Sequence, residues 1–167
     1  MITKLIEDSI KKYSELFGIP IPLVKAIIKK ESSFNPYAIR VEKGFWKRYF
    51  EGIKKKVLQT KNKKDDFWLQ YPDFMSASYG LMQLMLPVAI ELGFVFDYPT
   101  ELLDIDENIG LGCRKLFILY KKYKQWNDVI SAFNQGNNRK GNNSKYINQK
   151  YVDDVLQFMK EFSEVGE

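Results

Sequence analysis

PLVKAIIKKESSFNPYAIR, residues 22–40, combines an amphipathic helix, an acidic residue and a turn signal in one run. Pro22 is suited to the first turn of a helix, and the following LVKAIIKKES has helical apolar spacing. At 100° per residue, Val24 lies about 20° from Glu31, Ile27 about 40° and Ile28 about 60°. Lys25, Lys29 and Lys30 fall about 100–160° away, so Glu31 shares the inward, apolar face. It also stands near the helix C-terminus, where the macrodipole disfavours an anion. Burial and dipole both act against ionisation, and the carboxyl pKa is expected to rise. The structural alternative is a glutamate paired with a buried cation or turned outward at a frayed helix end. Asn35-Pro36 then predicts an ordered turn, consistent with a cleft edge beside the acid.

Outward from this helix the pattern remains helical. Leu5, Ile6, Ile10, Tyr13, Leu16 and Phe17 mark a helix over 3–17, with Gly18 as its C-cap. Pro87 is placed to start a helix ending at Gly93, and a longer helix near 107–123 carries Ile109, Cys113, Leu116, Phe117 and Tyr120 on one stripe. Asn127 is a candidate cap for the helix DVISAFN, and a last helix near 149–162 buries Val152, Val155, Phe158, Met159 and Phe162. No strand is convincing and no repeat is visible. The reading is all-α, or mainly α, in a single domain over 1–167.

The block from 41 to 75 stands apart as an insertion rich in aromatics and lysines. Phe45, Trp46, Tyr49, Phe50 and Ile53 have helical spacing. Trp46, Tyr49, Trp68 and Tyr71 can offer flat faces along a groove, or form a satellite core beneath a long excursion. Lys54, Lys55, Lys56, Lys61, Lys63 and Lys64 read as a solvated basic face.

Composition narrows the chemistry. The chain has 167 residues, no histidine and one cysteine. Ser/His/Asp triads, Cys/His dyads and zinc sites are thereby removed, and Cys113 has no intramolecular disulfide partner. Neither metal nor cofactor is expected, so acid-base work falls to carboxylates. The formal charge of +5 favours a polyanionic partner, either nucleic acid or an anionic cell wall. No apolar run approaches the roughly 18 residues of a membrane span, and the N-terminus reads as an amphipathic helix rather than a signal peptide.

ESSFNPYAI at 31–39, GLMQLM at 80–85, NIGLGCRKL at 108–116, AFNQG at 132–136 and YVDDVL at 151–156 occur in that order. Together they resemble the catalytic domain of soluble lytic transglycosylases, relatives of goose-type lysozymes. The resemblance covers nearly all the chain outside the 41–75 insertion and implies a lysozyme-like fold. It implies that Glu31 is the catalytic acid, that Gln83 and Asn134 line the sugar cleft, and that Tyr151 approaches the acid. Ser32, Arg40 and Tyr79 complete the candidate substrate-binding set. The two amides can serve sugar hydroxyl and N-acetyl groups, or satisfy buried helix ends.

The implied reaction is cleavage of the β-1,4 bond between N-acetylmuramic acid and N-acetylglucosamine in peptidoglycan, with a 1,6-anhydro product. A hydrolytic goose-type-like lysozyme is the alternative and requires a second carboxylate about 6.5–9.5 Å from the first. Goose-type lysozymes commonly carry an aspartate soon after GLMQ, where this chain has Leu84 and Met85; Glu42, Asp65, Asp66 and Asp73 are the substitutes on offer. Arg40 occupies a position that is often serine in the family. It can grip an anionic muramyl or peptide group, or pair with Glu31 or Glu42. A basic nucleic-acid- or wall-binding module is the remaining class, but it leaves a carboxylate on an apolar face unexplained. The expected partner is therefore the peptidoglycan glycan strand, without nucleic acid or membrane span, for a monomer that reaches the wall by a route such as a phage particle or lysis system.

Overall fold

The computed structural model describes residues 2–42, 44, 51–52, 54–55 and 67–164. Helices dominate. Among the described residues they are α1 (Lys4–Phe17), α2 (Ile21–Ser32), α3 (Pro72–Met75), α4 (Leu86–Glu91), α5 (Ile105–Tyr123), α6 (Trp126–Gln135) and α7 (Gln149–Glu164). A 3-10 turn at Pro99–Leu103 precedes α5.

The first helix follows from its ends and its stripe. Thr3 accepts a side-chain hydrogen bond from the Ile6 N–H, and Gly18 closes the helix in the left-handed region, its N–H bonding to Ser14 O. α2 begins one residue before Pro22, with Pro20 as N-cap, and is capped at its C-terminus by Ser33, a left-handed residue whose N–H returns to Lys29 O. Its buried residues, Leu23, Val24, Ala26, Ile27 and Ile28, are the stripe expected from sequence. Asp104 caps α5 by accepting from Glu107 N–H, so that helix starts before the expected position. The expected Asn127 cap is corrected: α6 already includes Trp126 and Asn127, and Gln125 is the N-cap.

A second correction concerns strands. β1 (Ile39–Val41), β2 (Ala77–Tyr79) and β3 (Leu84–Met85) form an antiparallel sheet in the order β1-β2-β3. Segments of two or three residues are too short to display a period-two signature, which is why the sequence concealed them. Ile39 pairs with Tyr79, Arg40 with Ser78 and Val41 with Ala77. Glu42 N–H adds a bond to Ser76 O at 2.9 Å. The two ends of the 41–75 insertion are thus clamped side by side.

Phe45, Trp46, Tyr49, Phe50, Ile53, Lys56, Lys61, Lys63, Lys64, Asp65 and Asp66 lie outside the described residues. Of the insertion's aromatics, Trp68 is partly buried against the core and lies 5.4 Å from the Phe74 ring and 6.4 Å from Phe96. Tyr71 remains exposed beside it.

Three packings place the helices. α2 lies most extensively against α7, α1 against α5, and α5 against α6. Ile6, Ile10, Leu23, Ile27, Ile109, Cys113, Leu116, Val152 and Val155 are all buried where these meet. Cys113 is an inert core thiol, its pKa pushed up to about 12 by burial.

The small sheet is locked to α5 by motif residues. Asn108 is fully buried; its Nδ2 donates to Tyr79 O and Leu102 O at 2.9 Å, and its Oδ1 accepts from Met82 N–H at 2.8 Å. A Cβ on Gly80 would stand 2.5 Å from Asn108 Nδ2, and Gly80 has φ +72°, so that position requires glycine twice over. A Cβ on Gly112 would collide with the Met82 sulfur. Gly80, Met82, Asn108 and Gly112 therefore form one interlocking joint between the 80–83 turn and α5.

Candidate active site

Glu31 sits in the last turn of α2, half-buried, where α7 crosses. Tyr151, in the first turn of α7, donates its hydroxyl hydrogen to Glu31 Oε1 at 2.6 Å. The neighbouring residue pair repeats the crosslink with charge: Lys30 Nζ meets Asp154 Oδ2 at 2.7 Å. These two contacts, one turn apart on α7, fix the angle at which Glu31 emerges.

Burial is the largest influence on the carboxyl and raises its pKa. The Tyr151 hydrogen bond and the charges of Arg40, Lys115 and Lys30 act in the opposite sense, and burial prevails. Tyr151 is itself driven well above the ordinary phenol range, first by burial and then by the adjacent Glu31 charge. The phenol stays protonated and remains a donor.

Arg40 does not pair directly with the acid. Its Nε donates to Glu42 Oε1 at 2.7 Å, and the two side chains are 58% and 43% exposed. The Arg40 charge still acts on Glu31 at longer range, without claiming its hydrogen-bonding capacity. Of the two pairings open from sequence, Arg40–Glu42 is the one formed.

Gln83 occupies the turn between β2 and β3 with φ +46°, an uncommon conformation for a residue with a side chain. Its amide compensates by stitching the surroundings together. Nε2 donates to Ala38 O at 3.0 Å and Gly80 O at 2.8 Å, while Oε1 accepts from Ser78 Oγ at 3.0 Å. Both amide donors are therefore committed within the protein. Tyr79 is only 1% exposed, and its hydroxyl donates to Phe74 O at 3.0 Å. Its ring belongs to the core beneath the sheet rather than to an open wall. Ser32 bonds back to Ile28 O at 3.2 Å within α2.

Asn134 differs from these. It is exposed near the end of α6; its Oδ1 accepts from Asn148 Nδ2 at 3.0 Å, and its own Nδ2 has no partner among the described residues. Asn148 was not singled out from sequence, yet it organises the corner. It donates to Ser131 O, accepts from Ser131 Oγ at 2.8 Å, and its carbonyl receives the Tyr151 N–H at 2.9 Å. Asn148 thus couples α6, which carries Asn134, to the start of α7, which carries Tyr151. An asparagine immediately before a helical stripe is the signal that could have identified it.

Lys115 was also missed. On α5 it follows Leu111 by four residues and Gly112 by three, both buried, so its position lies on the inward face. The lysine interrupts an apolar pattern, a departure visible in the sequence itself.

A half-buried, protonation-prone glutamate held by a tyrosine, in a mainly helical lysozyme-like domain with a small antiparallel sheet, is an arrangement suited to general acid catalysis. The chain matches the family model of the transglycosylase SLT domain over residues 8–154 and belongs to that family. This is a family of peptidoglycan lytic transglycosylases. A comparison with curated proteins finds no match. Among the described residues there is no cluster of side chains able to hold a metal ion and no helix long and apolar enough to cross a membrane.

Proposed function

We propose that this protein cleaves the β-1,4 bond between N-acetylmuramic acid and N-acetylglucosamine without consuming water, with Glu31 acting first as acid and then as base. The observation that carries this reading is the environment of Glu31: a carboxyl held toward its protonated form by burial and oriented by Tyr151 at 2.6 Å.

Departure of the sugar needs a proton on the bridging oxygen, and a buried glutamate retains one nearer neutral pH than a solvated carboxyl does. The muramic anomeric carbon then carries oxocarbenium-like charge, eased by the substrate acetamide. Glu31, now a carboxylate, removes the proton from the muramic C6 hydroxyl. That oxygen bonds to its own anomeric carbon and closes the 1,6-anhydro ring. Glu31 ends protonated, as it began. Tyr151 donates to the carboxylate form and so supports the base half of the cycle.

Among the described residues, the cationic charges of Arg40, Lys115 and Lys30 act on Glu31, and Glu42 is engaged by Arg40. One carboxylate serves both proton transfers, which favours internal ring closure over water activation by a partner carboxylate. Asn134 Nδ2, without a partner among the described residues, can donate to a sugar or N-acetyl oxygen, and Arg40 is an exposed cation for a lactyl or stem-peptide carboxylate. Mass analysis of muropeptides released from purified sacculi tests the proposal. Products ending in 1,6-anhydro-N-acetylmuramic acid are expected; reducing ends would assign a hydrolase, and no release would overturn both assignments.

A further inference from the structure

We propose that Lys115 is a positioning residue of the glycan-cleaving centre: its ammonium fixes the peptide that carries Asn134 and holds a positive charge that acts on Glu31. The inference rests on the reading of Glu31 as the acid and adds to it a residue from a third helix.

The geometry comes first. Lys115 Nζ donates to Phe133 O at 2.8 Å and lies 4.2 Å from the centre of the Phe133 ring. Phe133 O belongs to the peptide bond joining Phe133 to Asn134. It is also one of the last carbonyls of α6, which a helix end leaves without an internal partner. The ammonium satisfies that carbonyl, complements the negative end of the helix dipole and holds the backbone from which Asn134 projects. The rigid link runs from α5 to α6 and, through Asn148, to the first turn of α7.

Its charge is also one of the cations that oppose the effect of burial at Glu31, and the Glu31 charge in turn raises the Lys115 pKa. Glu31 from α2 and Glu91 from α4 are the carboxylates acting on Lys115; α6 presents the Phe133 carbonyl and ring. α1 meets α5 through Lys12 and Tyr13 at Asp106, about 13 Å along the helix axis from Lys115 at 1.5 Å rise per residue. Around Glu31 the other groups among the described residues are Tyr151 from α7, Arg40 from β1 and Lys30 from α2. Burial brings the Lys115 pKa down to about 8, against the two glutamates, which raise it. Below that pH the cation stabilises the Glu31 carboxylate left after proton donation, the form that must next act as base.

The sign of the effect separates this role from simple structural support. Cleavage needs protonated Glu31, so the alkaline limb of kcat/KM reports its ionisation in the free enzyme. Removing the neighbouring cation raises the Glu31 pKa and moves that limb to higher pH, even as kcat falls.

The test is the pH dependence of sacculus cleavage by Lys115→Met and Lys115→Arg. The methionine variant is expected to lose about tenfold in kcat, the scale of one lost charge-assisted hydrogen bond, with its alkaline limb displaced upward. The arginine variant, which keeps charge and donor, is expected to retain the original limb. An unmoved limb in Lys115→Met, or the same displacement in both variants, overturns the proposal. NMR titration of the unaltered protein, with 13C at lysine Cε and glutamate Cδ, decides the matter if the methionine variant does not fold or if sacculi are not cleaved. Lys115 titrating near 8 with a matching inflection at Glu31 supports the coupling. Titration at the ordinary lysine value of 10.5, with no response at Glu31, overturns it.

Discussion

Tyr151 Oη and Glu31 Oε1 lie 2.6 Å apart although 120 positions separate the residues in sequence. The contact depends on the packing of α2 against α7, and it gives the carboxyl a donor that strengthens as the acid ionises. Tyr151→Phe removes the hydroxyl while leaving the ring to fill its place. The Glu31 pKa should rise further, because the hydrogen bond opposes the effect of burial. The alkaline limb of kcat/KM should then move to higher pH, with kcat reduced about 10- to 100-fold as the carboxylate loses about 1.5–3 kcal/mol of hydrogen-bond support. Steady-state rates on sacculi across pH check both; a wild-type profile would remove the phenol from the proton-transfer cycle.

Glu31→Gln separates chemistry from stability. General acid catalysis contributes about 10²- to 10⁴-fold, so muropeptide release should fall by at least that range. Stability should move the other way. In the folded protein the Glu31 pKa is raised above 4.5, so between the unfolded and folded values the native state binds more protons and stability declines as pH increases. Glutamine carries no such loss. The variant should match the wild type near pH 4 and melt at higher temperature near pH 7. Thermal unfolding at the two pH values is the measurement, and equal melting differences at both would contradict the raised carboxyl.

Much of this site could be read from residues 22–40 because a helix of 12 residues fixes side-chain directions by simple rotation. Val24, Ile27 and Ile28 pointed inward, and Glu31 followed them. The caps and stripe of α1 were legible for the same reason. The sheet was not, since β1 to β3 owe their pairing to long-range clamps such as Val41 with Ala77, and two or three residues carry no period of their own. Nor could local pattern tell that Gln83 spends its amide on Ala38 and Gly80, that Tyr79 is buried, or that Arg40 meets Glu42. Those outcomes depend on what the tertiary fold brings within 3 Å of each polar atom. Lys115 went unread although it interrupts an apolar stripe, a signal the sequence carries; its Phe133 partner, on another helix, leaves no such signal.

The joint between the 80–83 turn and α5 predicts a large stability cost far from the acid. Asn108→Ala removes three buried hydrogen bonds at once and leaves Met82 N–H, Tyr79 O and Leu102 O without that partner. Each unsatisfied buried group costs about 1–3 kcal/mol, so a loss of at least about 3 kcal/mol is expected. For a domain of this size that lowers Tm by roughly 6–12 °C. Gly80→Ala should destabilise comparably, since its Cβ would meet Asn108 and its φ disfavours any side chain. Thermal melts of the two variants and the double variant test the coupling. Additive losses would contradict a shared joint, because the clash at Gly80 requires the Asn108 side chain.

Arg40 provides the converse case, with little structural work and a charge that acts on the acid. Its pair with Glu42 is largely exposed, and such pairs contribute about 0–1 kcal/mol. Arg40→Met should therefore leave Tm within a few degrees of wild type. Removing the cation should nevertheless raise the Glu31 pKa, since its charge favours the carboxylate. If Arg40 grips a lactyl or peptide carboxylate, KM for glycan bearing stem peptides should rise about tenfold, the scale of one charge-assisted contact. The discriminating comparison uses sacculi and glycan strands stripped of their stem peptides. A KM increase confined to the peptide-bearing substrate assigns Arg40 to the stem; an equal increase on both assigns it to the muramyl lactyl group or the sugar. An unchanged KM on both, with only the pH profile moved, reduces its role to the field it exerts on Glu31.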